Sequence, residues 1–130
     1  MTDQMNEQLT LDATTAVDRY LAALNEPDAV QRRRLIEQAW TPHGSLTDPP
    51  LVGEGHDGLA AVGDAFHEHY AGHRFERTSA VDEHHGRYRF AWALLGPDGS
   101  IAVTGLDTGI LAGDGRVGDV VGFFGELAPR

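Results

Sequence analysis

The sequence predicts an α+β domain in which three N-terminal helices pack on one face of a mostly antiparallel sheet. Two observations carry this prediction. Apolar residues recur at helical spacing up to Gly72, and beyond Gly72 they alternate with polar residues at the period of a strand. The 130 residues suffice for one core. We therefore expect a single domain over residues 11–130, preceded by a polar, acidic tail that is disordered over residues 1–10.

Three helices account for the first half of the chain. The first is predicted from about Asp12 to Leu24. The segment Asn25–Asp28 ends it and starts the second, because proline is tolerated at a helix start, and the second helix continues to about Trp40. The third follows Gly55. Its apolar stripe is formed by Leu59, Val62, Gly63, Phe66 and Tyr70.

Three consecutive arginines, Arg32 to Arg34, stand on the second helix and raise the question of nucleic acid. Asp28 lies four residues before Arg32, and Glu37 lies four residues after Arg33. This spacing is typical of weak ion pairs on a solvated helix face. The formal net charge of −10 also opposes phosphate binding, which needs a basic surface. We expect a solvated face and no nucleic-acid partner.

Composition excludes several classes of site. The chain has no cysteine, and therefore no disulfide, thiol nucleophile or thiolate metal site. Residues 1–10 lack the basic and apolar regions of a signal peptide. No apolar run approaches the roughly 20 residues that a membrane helix requires. We expect a cytoplasmic protein with no membrane partner.

The second half reads as a meander of strands. An earlier turn over Thr41–Gly44 and a short strand over Ser45–Thr47, between the second and third helices, lead to Asp48. Four longer strands follow, and glycine-containing turns separate them. The strands are predicted at about His73–Val81, Gly86–Leu95, Ser100–Ala112 and Arg116–Glu126, with turns at Asp82–Gly86, Pro97–Gly99 and Gly113–Gly115.

Glycines concentrate in and beside the last two strands, where they mark bulges, bends or space left for another group. A strongly curved sheet with a hollow on its concave side would use them. Alternatively, they relieve packing against the helices. The glycines are Gly105, Gly109, Gly113, Gly118, Gly122 and Gly125.

Asp107 interrupts an otherwise apolar strand. Alternation places it on the face that holds Val103 and Leu111. A carboxylate is costly to bury unless something uses or neutralises it. Asp107 is therefore either a functional group or part of a structural network with a buried Arg or His.

Both faces of the last two strands are substantially apolar. Tyr88, Phe90, Trp92 and Leu94 form one face of their strand, while the last strand divides its apolar residues between two faces. One face must cover the helices or a cavity, and the other is expected to meet a second subunit. We therefore expect a homodimer that pairs through the sheet. The two sets on the last strand are Val120, Gly122 and Phe124, and Val121 and Phe123.

At this point the sequence resembles the nuclear transport factor 2-like superfamily, in the SnoaL-like and ketosteroid isomerase-like branch. The resemblance spans about Ala13 to Glu126. It rests on Arg19–Asp28, on Gly44–Pro49 and on Gly55–Ala61, and the closing strands add Gly105–Asp107 and Asp114–Val117 through Phe123–Phe124. It implies a cone-shaped fold whose curved sheet encloses a cavity.

The resemblance also implies roles for three residues. In ketosteroid isomerase a Tyr and a protonated Asp form an oxyanion hole, and a second Asp is the general base. Tyr20, Asp107 and Asp48 stand at those three positions. The implied chemistry is proton transfer on a small apolar carbonyl compound, without a cofactor or a metal. The two tyrosines that support the catalytic Tyr in the isomerase are replaced here by Trp40 and Gly63.

Each of the three residues has a structural alternative. Tyr20 lies on an apolar helix face, where a core tyrosine is common, and Asp48 precedes Pro49, a frequent turn arrangement. Two rival functions stay open: a ligand-binding or dimerisation module without catalysis, and a polyketide cyclase or dehydratase that uses His84 or His85. The candidate pocket walls are Trp40, Phe66, Tyr70, Phe90, Trp92, Val103, Val120 and Phe124.

Overall fold

The computed structural model describes the backbone of residues 2–130 and the side chains of residues 13–130. Within these bounds the chain forms three helices and seven strands. The predicted disordered tail over residues 1–10 lies outside the residues whose side chains are described, and it stays a prediction. The elements are α1 (Thr2–Asn25), α2 (Ala29–Ala39), β1 (Trp40–Thr47), β2 (Val52–Glu54), α3 (Gly55–His69), β3 (Arg74–Arg77), β4 (Asp82–His84), β5 (Arg87–Leu95), β6 (Ile101–Leu111) and β7 (Val117–Phe124).

The strands form one mixed sheet in the order β2-β1-β7-β6-β5-β3, and β4 also pairs with β5. The pairing of β1 with β7 is parallel, and the other pairings in the described chain are antiparallel. The three helices pack on this sheet, which is not closed. The predicted α+β class, with helices on a mostly antiparallel sheet, is confirmed.

Four local predictions need correction. Trp40 does not end α2: its backbone is extended, with φ −108° and ψ 148°, and it begins β1. The turn predicted over Thr41–Gly44 lies within β1, at an irregularity where the register with β7 shifts. The strand predicted over His73–Val81 is shorter and forms β3, Arg74–Arg77. The predicted turn over Asp82–Gly86 contains a separate strand, β4, and both β3 and β4 pair with β5. The three-residue β2 was not predicted.

Arg32 also differs from prediction. It is buried and 3% exposed, whereas Arg34 is exposed. Its guanidinium donates to the backbone oxygens of Glu26 and Pro27 and forms a 2.6 Å ion pair with Asp64 on α3. Arg32 therefore ties the α1–α2 connection to α3. The expected solvated ion pair is confirmed for Arg33, which bonds Glu37 at 2.9 Å.

The core lies between the helices and the inner face of the sheet. The prediction for β5 is confirmed: Tyr88, Phe90, Trp92 and Leu94 are all at most 5% exposed. Asp107 is also on this inner face. The opposite face of β6 and β7 is apolar and exposed, at Leu106, Val121 and Phe123.

No helix in the described part of the chain has the length and apolarity needed to cross a bilayer.

Candidate functional site

Asp107 is held at the centre of β6 by two donors. It is 7% exposed, and it lies opposite Phe90 of β5 and Gly122 of β7. The Tyr20 hydroxyl, on α1, donates to Oδ2 at 2.7 Å, and the Trp92 indole Nε1 donates to Oδ1 at 2.8 Å. Both carboxyl oxygens are therefore fixed by neutral donors from two different elements.

The pKa of Asp107 is raised to about 6. Burial is the main cause, because it disfavours the charged form, and the nearby carboxylate of Asp48 adds to the rise. The hydrogen bonds from Tyr20 and Trp92 act in the opposite direction. Asp107 can therefore exchange a proton close to neutral pH.

Asp48 immediately follows β1 and is half-buried. Its Oδ1 accepts a hydrogen bond from the Leu51 backbone nitrogen at 2.9 Å, and its own nitrogen donates to the Leu51 oxygen at 2.9 Å. Burial raises the pKa of Asp48 above its usual value, while the Leu51 hydrogen bond lowers it. This small loop fixes the carboxylate while leaving Oδ2 with no hydrogen bond to the described residues.

Glycines leave the space that the site occupies. A Cβ on Gly122 would lie 2.7 Å from Asp107 Oδ1 and 3.2 Å from the Asp48 Cβ, so the two carboxylates flank this residue. A Cβ on Gly105 would overlap the Trp92 ring, and one on Gly109 would overlap the Tyr88 hydroxyl. Space for other groups, rather than packing against helices, is thus the function of these three glycines.

A small inner cavity of about 20 Å³ lies beside the carboxylates. Asp48, Asp107 and Trp92 form its polar side, and the rest of the wall is apolar. This volume holds one water-sized group. The apolar lining consists of Leu21, Leu24, Leu46, Leu51, Val62, Phe66 and Phe75.

A larger outer cavity of about 280 Å³ shares five lining residues with the inner one, namely Asp48, Leu51, Phe66, Phe75 and Trp92. Its wall contains a continuous row of aromatic rings, in which neighbouring centroids are 4.9 to 5.9 Å apart. Together the two cavities suit a ligand with one small polar group and an apolar body. The aromatic row is Tyr70, Phe66, Phe75, Trp92 and Phe124.

Five of the eight candidate wall residues line these cavities: Phe66, Tyr70, Trp92, Val103 and Phe124. The other three, Trp40, Phe90 and Val120, line neither cavity and are at most 2% exposed, within the core. Tyr20 also lines neither cavity. It is fully buried behind Asp107, and it reaches the site only through its hydrogen bond to that carboxyl group.

The surroundings of Tyr20 contain two buried polar atoms without a hydrogen-bond partner among the described residues, Trp40 Nε1 and Tyr88 Oη. The Trp40 ring lies against Tyr20 at 5.1 Å between centroids. Burial raises the pKa of both Tyr20 and Tyr88 above the usual range, so both phenols stay neutral. At Gly63, the second replaced position, the missing side chain leaves room for Arg32.

The histidines lie elsewhere. His84 and His85 are exposed at the β4–β5 turn, with their Nδ1 atoms 3.2 Å apart, and neither lines the two cavities. His67 Nε2 contacts the Leu24 oxygen at 2.8 Å. Within residues 13–130, no group of three or more His, Asp or Glu side chains is placed to hold a metal ion.

Sequence reasoning did not identify the Trp92 hydrogen bond, Leu51 or Phe75 as parts of the site. Trp92 could have been found from strand register, because it lies opposite Gly105, two residues before Asp107. A diagonal cross-strand neighbour is within reach of a long aromatic side chain. No sequence signal marks the Leu51 contact, which depends on the path of the loop.

Comparison with known proteins gives a consistent family of folds. No family model matches the chain, and no curated protein matches it. Among solved structures, the chain is similar to a candidate isomerase of the SnoaL-like family from Agrobacterium tumefaciens str. C58. The two share 38% identity with a TM-score of 0.84, over 89% of this chain and 99% of that one.

Two more distant structures show the same fold. A candidate SnoaL-like polyketide cyclase from Jannaschia sp. CCS1 is 18% identical, with a TM-score of 0.65 over 86% of each chain. A protein of unknown function with a cystatin-like fold from Nostoc punctiforme is 12% identical, with a TM-score of 0.68 over 92% of each chain.

Proposed function

This chain belongs to the SnoaL-like family, and we propose that it is a small-molecule enzyme that moves a proton on an apolar carbonyl compound without a cofactor. The observation that carries the proposal is the pair Asp48 and Asp107, which face one apolar cavity with different environments. Asp107 is deeply buried, whereas Asp48 is half-buried. Two carboxyl groups in unequal environments supply an acid and a base together.

The reaction assigned to the site is a carbon-to-carbon proton shift. Asp48, ionised, takes a proton from the carbon next to the carbonyl group, and the electron pair moves to form an enolate. Asp107, protonated, donates a hydrogen bond to the developing oxyanion. Asp48 then returns the proton to a carbon further along the conjugated system, and the carbonyl group re-forms. The net change is a moved double bond, with no atom gained or lost.

Tyr20 is a positioning residue in this scheme. Because its hydroxyl donates to Asp107 Oδ2, it orients the carboxyl group without touching the ligand. This differs from the role implied by resemblance, in which Tyr20 itself donates to the oxyanion. Trp92 has the same relation to Oδ1 but also lines both cavities.

The scheme requires Asp48 ionised and Asp107 protonated, so activity follows a bell-shaped pH profile. The falling limb lies near the pKa of Asp107, about 6. Since the two carboxyl groups interact, the two limbs report apparent pKa values of the pair.

The test is isomerisation of a β,γ-unsaturated ketone by the wild type and by Asp48→Asn, followed by the absorbance of the conjugated product. Loss of general base catalysis is expected to lower the rate by about 100-fold or more. Glu68→Gln, on the exposed side of α3, is the matched control and retains activity. Equal rates for the wild type and Asp48→Asn would sink the proposal for this substrate class.

A second candidate function is ligand binding without turnover. It is favoured by the burial of Tyr20. Because the Tyr20 hydroxyl is bonded to Asp107, only Asp107 of these two residues can donate a hydrogen bond to an oxyanion in the cavity. Native mass spectrometry of freshly purified protein would identify a retained apolar ligand. Retention unaffected by Asp48→Asn and Asp107→Asn, with no isomerase activity, would favour this candidate. The cyclase or dehydratase alternative receives no support from His84 and His85, which line neither the inner nor the outer cavity beside Asp48.

We also propose that the chain forms a homodimer through the outer face of the sheet. Support comes from the exposed apolar side chains Leu106, Val121 and Phe123 on neighbouring strands. An apolar patch of this kind on β6 and β7 is typical of a protein interface. Sedimentation velocity is expected to show a dimer for the wild type and a monomer for Val121→Asp. Val30→Asp, an exposed apolar position on α2, is the control; a monomeric wild type would refute the proposal.

A further inference from the structure

The two cavities contain negative charge and no positive charge. Of the described residues that line them, only Asp48 and Asp107 carry charge near neutral pH. Arginine and histidine are absent from both linings. The site therefore has nothing to neutralise an anionic ligand, and it selects against carboxylates, phosphates and other anions.

Neither carboxylate is neutralised by the protein. Asp107 is bonded by a phenol and an indole, and Asp48 by a backbone amide. Buried charges in proteins are ordinarily paired with an opposite charge. Each carboxylate oxygen accepts about two hydrogen bonds, so acceptor capacity remains on both groups. The protein side of an ion pair is present here, and its cation is not supplied by the described chain.

The shapes of the cavities fit one kind of cation. The inner cavity of about 20 Å³ admits one water-sized group, which is also the size of an –NH₃⁺ head. The outer cavity of about 280 Å³ offers the aromatic row to an apolar body. Trp92 lines both cavities, so its indole ring is placed to contact a ligand that extends from one cavity into the other.

We propose that the two adjacent cavities together bind an organic ammonium ion, with its –NH₃⁺ group beside Asp48 and Asp107 and its aromatic or aliphatic body against the aromatic row. The proposal rests on the cavity of the proposed function, but on no step of that reaction. The overall charge of −10 acts in the same direction, because it raises the local concentration of cations.

The pH dependence of binding distinguishes this ligand class from a neutral carbonyl compound. The groups that face Asp107 are Tyr20 from α1, Tyr88 and Trp92 from β5, and Asp48. The phenols stay neutral, and the indole does not titrate, so the two carboxyl groups set the charge. An ammonium ion binds more tightly as pH rises through about 6, while a ketone that needs protonated Asp107 binds less tightly.

The test compares three probes with one shared body: 2-naphthylmethylamine, 2-naphthylmethanol and 2-naphthoate, measured by titration calorimetry at pH 5 and pH 8. At pH 8 the amine is expected to bind about tenfold or more tightly than the alcohol, and 2-naphthoate not at all. At pH 5 the advantage of the amine shrinks by severalfold.

Variants locate the effect. Asp48→Asn and Asp107→Asn are each expected to weaken the amine about tenfold and to leave the alcohol within about twofold. Glu68→Gln removes a surface charge and leaves both affinities unchanged. Circular dichroism checks that each variant is folded, and Asp48→Asn lies in a loop outside the core.

Equal affinity of amine and alcohol at pH 8, or binding of 2-naphthoate, overturns the ammonium proposal and leaves the cavity as a ligand site. Absence of binding by all three probes overturns it together with the site. Amine binding that depends on the two carboxylates supports the ammonium proposal, whether or not the protein has isomerase activity. Absence of isomerase activity in the same protein refutes only the proposed reaction.

Discussion

Asp107→Asn is predicted to change the pH dependence of stability. Asp107 has a pKa of about 6 in the folded protein, against its usual 3.8. The folded state binds the Asp107 proton more tightly than the unfolded state does. The contribution of this proton to the free energy of unfolding is therefore complete below about pH 3.8 and is lost as pH rises through about 6. Asp107→Asn has no titrating group at this position, so its stability does not show this decrease as pH rises.

The size of the effect follows from the shift. About two pKa units correspond to about 3 kcal/mol of unfolding free energy across the whole window. Between pH 4.5 and pH 8, the same linkage gives about 2 kcal/mol, since part of the window lies below pH 4.5. Asp107 is 7% exposed, so solvent screening reduces this little.

Urea denaturation followed by far-UV circular dichroism measures the effect at pH 4.5, 6 and 8. Other carboxyl groups titrate in both proteins, so the quantity of interest is the wild-type free energy of unfolding minus that of Asp107→Asn. It is expected to fall by about 2 kcal/mol from pH 4.5 to pH 8. A difference that stays constant, or rises, would refute the assignment of a raised pKa to buried Asp107.

Three further predictions concern neighbouring groups. Tyr20→Phe removes a hydrogen bond that favours ionised Asp107, so the pKa of Asp107 rises above about 6 in a carbon-13 NMR titration of the carboxyl group. Gly105→Ala forces a Cβ against the Trp92 ring and is expected to lower the unfolding free energy by about 1 to 3 kcal/mol, measured in urea. Arg32→Ala removes three hydrogen bonds and buried packing, and about 2 to 3 kcal/mol of stability is expected to be lost.

Matched controls exist for two of these changes. Gly113→Ala places a methyl group where nothing lies within 4 Å, and Arg34→Ala changes an exposed arginine on the same helix. Both are expected to change stability by less than about 0.5 kcal/mol. Equal losses at Gly105 and Gly113, or at Arg32 and Arg34, would contradict the packing described. An unchanged or lowered pKa of Asp107 in Tyr20→Phe would contradict the hydrogen bond.

Much of the fold was predictable because the spacing of apolar residues along the chain is a local property of the sequence. The apolar face of β5, and the placement of Asp107 on the same face as Val103, follow from alternation alone. Arg32 was not predictable in the same way, since Arg32, Arg33 and Arg34 look alike in sequence. Its burial depends on Asp64 on another helix and on the space above Gly63.

The candidate site was only partly predictable, because its contacts depend on tertiary structure. Asp48 and Asp107 could be selected from the sequence, whereas their adjacency depends on the parallel pairing of β1 with β7, which no local pattern encodes. Likewise, Tyr20 could be named as a candidate from the sequence, but its position behind the Asp107 carboxyl group depends on how α1 packs on the sheet.

The parallel pairing of β1 and β7 has a consequence for the order of folding. Leu46 lies opposite Val120, so this contact closes a chain loop of about 70 residues, a slow event compared with local hairpins. Until β7 inserts, β1 and β6 each present an open edge, to which another chain could pair. Gly122, which lies between Asp48 and Asp107, is part of β7, so this part of the site forms only when β7 pairs. A cavity ligand therefore recognises only molecules that have completed this step, and it protects the chain from assembling through those edges.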